Sequence, residues 1–127
     1  KNPRGQAFVE AFVRAYGEYP TSSVASAYGV VHQWADAVAR ANTTNVSAVI
    51  KALEGHQYRL LKDLQTWRAL DHQNLQSMYV VRVKKRSEVM RDALKQDYFE
   101  ELYWMEGDVA APTNSEVNLD RSSAGGL

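Results

Sequence analysis

The side chains best suited to acid–base or metal chemistry are three histidines, His32, His56 and His72. None stands in a His-Glu-x-x-His or comparable ligand spacing, and a chain without cysteine has no thiolate to complete a zinc site. The same absence removes disulfide frameworks and thiol nucleophiles. Asp71 beside His72 pairs a carboxylate with an imidazole, the pairing that can orient a general base. Neighbours in an extended segment point to opposite faces, however, and no Gly-x-Ser-x-Gly elbow supplies a nucleophile. Asp71-His72-Gln73 therefore reads as a polar turn. His32 falls within a helical pattern, and His56 follows Gly55 at a helix stop, where a donor or cation suits the last carbonyls. Arg82, Lys84, Lys85 and Arg86 beside Tyr79 have the ingredients of a nucleic-acid grip. One short basic run in a neutral chain reads instead as a solvated strand end. Gly5, Gly17, Gly29 and Gly55 are too scattered to cradle a phosphate. The expectation is a chain that is not an enzyme, takes no metal or cofactor and binds no nucleic acid.

Binding remains. Aromatic side chains are plentiful, among them Tyr16, Tyr28, Trp34, Trp67, Tyr79, Tyr103 and Trp104. Most suit a core, and a few suit the wall of a small-molecule pocket. Three helical patterns must position the first of them. Pro3 fits a first helical position after Asn2, and Phe8, Phe12, Ala15 and Tyr16 follow at helical spacing until Gly17 and Pro20. A second helix opens after Thr21-Ser22-Ser23. It carries Val24, Tyr28, Val31, Ala35 and Val38 on one stripe, flanked by Ala27, Trp34 and Ala41, and ends at Asn42-Thr43-Thr44. A third follows an Asn45 cap, turns Val46, Val49, Ile50 and Leu53 inward, and stops at Gly55. Beyond Gly55 the period shortens. Extended stretches are expected at Tyr58–Leu61 and at Gln65–Arg68, with Trp67 and Ala69 facing inward. Met78–Val83 is the clearest strand, being rich in β-branched and aromatic residues. A brief helix over 87–96 and, over 98–104, a closing strand or a packed aromatic segment complete the reading. The fold class is α/β, three helices followed by a few strands.

The whole chain has 127 residues, 45% of them hydrophobic and 24% charged, which is ordinary globular composition. Its 15 basic and 15 acidic side chains cancel, which argues against a dedicated nucleic-acid binder. The balance is uneven: residues 1–91 carry a net +6 and residues 92–127 a net −6. The acidic end, with Ala-Gly-Gly near its finish, reads as a solvated tail over 113–127.

Several motifs in order carry a resemblance. Phe8-Val9-Glu10-Ala11-Phe12, Tyr16-Gly17 and Tyr19-Pro20 precede Ala27-Tyr28-Gly29 and Ala35-Asp36-Ala37-Val38. Val49 through Gly55 follows. Thr66-Trp67 leads into Arg68-Ala69-Leu70-Asp71-His72-Gln73, then Tyr79 through Lys84 and Asp97-Tyr98-Phe99-Glu100. The series spans residues 2–112. It resembles the C-terminal third of a type I periplasmic solute-binding protein, of the branched-chain amino acid and amide branch of ABC importers. Two departures stand out: Leu60-Leu61-Lys62-Asp63-Leu64 replaces a stretch where the family often has glycine, and the family's usual C-terminal cysteine is absent.

The resemblance implies part of a two-lobed fold with a small ligand in the cleft between the lobes. Residues 1–77 would be the C-terminal part of the first lobe, and 78–112 the crossing segment and the end of the second. It implies an extracytoplasmic, periplasmic receptor that hands an amino acid or amide to a membrane permease. Ser22, Ser23, Val24 and Tyr28 are the ligand-binding candidates it carries over, with Ser23 standing where relatives offer a larger side chain. Most of the family's binding residues would lie upstream of Lys1. The rival expectation is a stand-alone interaction module, whose uncovered sheet edges and helix faces meet the missing N-terminal part or a second copy.

Overall fold

The computed structural model describes residues 2–117. The chain runs α1 (Pro3–Tyr16), α2 (Ser22–Ala41), α3 (Val46–Leu53), β1 (Gln57–Tyr58), β2 (Gln65–Trp67), β3 (Asn74–Leu75), β4 (Met78–Val83), α4 (Arg86–Val89), β5 (Phe99–Met105) and α5 (Gly107–Ala110). The first three helices begin where polar side chains take up free N–H groups at the helix end. Asn2 Oδ1 accepts from the N–H of Arg4 at 2.9 Å and of Gly5 at 3.4 Å. Thr21 Oγ1 accepts from Val24 at 3.3 Å and Asn45 Oδ1 from Ala48 at 3.2 Å. Gly17 (φ 73°) and Asn42 (φ 51°) close α1 and α2 in the left-handed region, where a β-carbon is costly and these two residue types are favoured.

The strands form two antiparallel sheets, β1-β2-β3 and a β4–β5 ribbon. In the ribbon Val80 faces Tyr103 and Val81 faces Glu101, so Leu102 is an extra residue without a partner: a β-bulge. Arg82 and Glu100 form an ion pair across it. At its foot Ser77 Oγ and Tyr79 Oη both donate to Asp63 Oδ2, at 3.2 and 2.9 Å.

Burial differs from the expected stripes. The buried apolar residues among those described are Ala37, Val49 and Val89, and α2 turns Gln33 and Ala37 inward. Val31 is 64% exposed, Trp34 55% and Val46 67%. Helical periodicity marks a face that can be covered. Here α3 packs against α2, and α1 meets the stripe through Phe8 against Tyr28, ring centroids 4.8 Å apart. Along the rest of the stripe Val24 and Val38 are half-buried, while Val31 and Ala35 stay exposed.

The expected helix over 87–96 shortens to Arg86–Val89 because Asp92 captures the backbone beyond it. Its Oδ2 accepts from Leu94 and Gln96 N–H at 3.2 and 3.1 Å, and Lys95 turns left-handed at φ 56°. In β2 the buried residue is Gln65, while Trp67 is half-buried and Ala69 is exposed beyond the strand end. Strand β3 and helix α5 had no counterpart in the sequence reading; they are too short for a period. Of the expected tail, residues 118–127 lie outside the described residues, and Thr113 N–H and Oγ1 both donate to Glu116 within a turn.

Candidate functional site

The N-terminal end of α2 opens on a groove of about 650 Å³ that Ser22 lines. Its lining includes apolar Phe8, Val9 and Leu61 together with charged Glu10 and Lys62, and Gly5 beside them. Thr21 Oγ1 takes the N–H of Val24, which leaves the first N–H groups of α2 free at the helix end. Lys62 Nζ donates to the uncharged Gln76 Oε1 at 2.8 Å, so its charge is not neutralised there. Glu10 has no ion-pair partner among the described residues. The lining thus offers an anion, a cation, free N–H groups and apolar surface. Such a groove can take a molecule bearing both charges and an aliphatic body.

Of the four residues carried over from the resemblance, one lines this groove, two line another and one lines neither. Val24 and Tyr28 line a second one of about 580 Å³ with Phe8, Phe12, Tyr16 and His32. This is aromatic packing: Tyr28 and His32 have ring centroids 4.3 Å apart, and Phe12 and Tyr16 4.5 Å. Ser23 is exposed and lines neither groove. Reading the sequence missed Glu10 and Lys62. Lys62 lies inside the Leu60–Leu64 stretch that departs from the family pattern, and that departure was the one available signal.

Polar side chains fasten the sheet behind the groove. Gln65 Nε2 donates to Asn74 Oδ1 at 3.0 Å and to Gln76 Oε1 at 3.3 Å, and Asn74 Nδ2 donates to Tyr58 Oη at 2.7 Å. Burial raises the Tyr58 phenol above its usual range, against the opposing hydrogen bond from Asn74. The turn read from Asp71-His72-Gln73 is a clamp. Arg68 Nε and Nη2 donate to the two Asp71 oxygens at 2.8 and 2.5 Å, and Arg68 Nη2 also reaches Gln73 Oε1 at 2.9 Å. The Arg68 hydrogen bonds hold the Asp71 carboxyl down to about 2. His72 sits at φ 60° and directs Nε2 to Glu54 Oε1 at 2.8 Å, while His56 Nε2 lies 3.3 Å from Asp36. Each of these two histidines serves a separate tie between elements.

The fold is that of type I periplasmic binding proteins. A periplasmic binding protein from Burkholderia mallei matches with a TM-score of 0.80 and 22% identity, over 91% of this chain and 30% of that one. An amino acid ABC transporter substrate-binding protein from Pseudomonas fluorescens Pf-5 matches at 0.74 and 28%, over 87% and 30%. An ABC-type branched-chain amino acid transporter from Rhodopseudomonas palustris CGA009 matches at 0.71 and 26%, over 85% and 28%. The chain thus spans under a third of the length of these solved relatives. No curated protein sequence matches it. Residues 1–88 match the periplasmic binding protein family, and the chain belongs to that family.

Proposed function

We propose that the chain is part of the extracytoplasmic solute-binding component of an ABC importer for amino acids or related small amides. The observation that carries this reading is the family match over residues 1–88. The α2 groove supports it, because Glu10 suits an ammonium, Lys62 and the free helix N–H groups suit a carboxylate or amide oxygen, and the apolar lining suits an aliphatic chain. In this reading residues 1–77 belong to the first lobe and 78–112 cross to the second, ligand is held between the lobes, and a membrane permease receives it. The role is capture and release without chemical change, so no catalytic group is required. Closure is a population shift driven by contacts that only the closed form makes.

Thermal melts of the chain against L-leucine, L-glutamine and acetamide test the reading. Ligand at 100 times its dissociation constant stabilises the native state by about 2.7 kcal/mol, a shift of several degrees at this size. Glu10→Gln and Lys62→Met should each reduce that shift for the amino acids. No shift with any of the three rejects a ligand site formed by this chain.

A second reading rests on the β4–β5 ribbon, where Val80, Val83, Phe99, Leu102 and Tyr103 are each more than half exposed. Such a ribbon invites cover by a second copy or by the remainder of the fold. Sedimentation velocity at increasing concentration discriminates: a rising mass supports association, and a constant monomer opposes it.

A further inference from the structure

Tyr19 lies between α1 and α2, close ahead of Ser22, and is gripped from far along the chain. Its hydroxyl donates to Asp92 Oδ1 at 2.8 Å, and its backbone N–H donates to Gln96 Oε1 at 3.1 Å. The second oxygen of Asp92 accepts from the Leu94 and Gln96 N–H groups, so the turn presenting both acceptors is internally braced. Held at its backbone and at its side-chain tip, Tyr19 cannot pivot about either. Pro20 follows with its φ fixed by the ring, and Thr21 then caps α2. The grip is therefore passed through two stiff residues to Ser22.

We propose that Asp92 and Gln96, acting through Tyr19, are positioning residues for the α2 end of the candidate groove. The clasp joins the lead-in to α2 to the turn after α4, so a displacement at the tip of the β4–β5 ribbon reaches the groove wall at Ser22. The proposal deepens the ligand-binding reading and, in its ligand arm, rests on it.

The test uses Tyr19→Phe, Asp92→Asn and their combination in the 127-residue chain. Gln96→Ala serves as an independent variant that keeps the Asp92 carboxylate. Backbone amide exchange is read along the chain, alongside melts with L-leucine and with acetamide. Losing a hydrogen bond to a carboxylate should speed exchange over residues 18–25 about tenfold, with the double variant no faster than either single one and α3 unchanged. Uniform acceleration along the chain, or none over 18–25, overturns the clasp. Where either probe shifts the wild-type melt, that shift should shrink in the variants, and an unchanged shift overturns the positioning role. Failure of both probes, and of L-glutamine, on the wild type rejects a ligand site formed by this chain, while the exchange pattern still decides whether the clasp holds the α2 end.

Discussion

Alanine at position 5 sets helix propensity against packing, and the structure says which wins. Gly5 lies in the first turn of α1, where propensity alone favours Gly→Ala by about 0.5–1 kcal/mol. A β-carbon there would stand 2.6 Å from the carbonyl oxygen of Leu61, a backbone atom that no rotamer change can remove. The loop is pinned against the helix by Asn2 Nδ2, which donates to Leu60 O at 3.3 Å and Lys62 O at 2.7 Å. Relieving the clash means moving helix and loop apart and stretching both bonds, each with a net contribution of about 1 kcal/mol. With the overpacking cost included, Gly5→Ala should lose about 1–3 kcal/mol despite its propensity gain. Gly29 in α2 is the control, since a β-carbon there meets nothing within 4 Å. Gly29→Ala should gain about 0.5–1 kcal/mol. Urea unfolding separates the two: with a slope of about 1–3 kcal/mol per molar, a 2 kcal/mol loss moves the midpoint down by about 1 M. A Gly5→Ala midpoint at or above wild type would refute the close approach of Leu61, and with it the geometry of the groove wall that Gly5 and Leu61 share.

The Arg68–Asp71 clamp predicts an acid dependence with a definite sign. Its carboxyl titrates at about 2 when folded against an ordinary 3.8, so its stabilisation is complete above the ordinary value and disappears as pH falls through about 2. Urea midpoints of wild type should therefore fall more steeply below about pH 4 than those of Asp71→Asn, and parallel curves would contradict the clamp. Val49, 6% exposed between α2 and α3, should cost about 2–3 kcal/mol when cut to alanine. Val46→Ala on the exposed side of the same helix should stay within about 0.5 kcal/mol in the same melts. Gly107→Ala would put a β-carbon 2.5 Å from Gln76 N. It should release α5, seen as loss of protection at Val109, Ala110 and Ala111, whose N–H groups bond back to Glu106 and Gly107.

The three long helices were legible because their ends are written in local chemistry. Asn2-Pro3, Thr21 and Asn45 at the starts, and Gly17 and Asn42 at the stops, act within a few residues and need no tertiary partner. Strand β4 was legible for a similar reason, its β-branched run being local. What was not legible depends on neighbours. The apolar stripes of α2 and α3 state which faces can be buried and not which ones this length of chain covers, so Val31 and Val46 remain exposed. Helix α4 ended early because a single carboxylate, Asp92, competes for backbone N–H groups that periodicity assigns to the helix. At the candidate groove, Ser22 is the one lining residue that the family pattern had also named. Glu10 and Lys62 were missed because they converge from α1 and from the loop after β1. Charges brought together from distant segments leave no spacing to read.

The bulge at Leu102 gives β5 one residue more than β4 requires. On the Val83 side of it, Arg82 meets Glu100; on the Met78 side, Tyr79 meets Trp104. Because a strand alternates faces, the spare residue inverts the parity of Tyr103, Trp104 and Met105 relative to Phe99–Glu101. Removing Leu102 would shorten the strand while leaving every cross-strand partner in place. Removing a paired residue of β5 instead would shift by one position the partners of the residues between it and the bulge. The ribbon thus takes up a change of length at the bulge, and only there without changing a cross-strand partner.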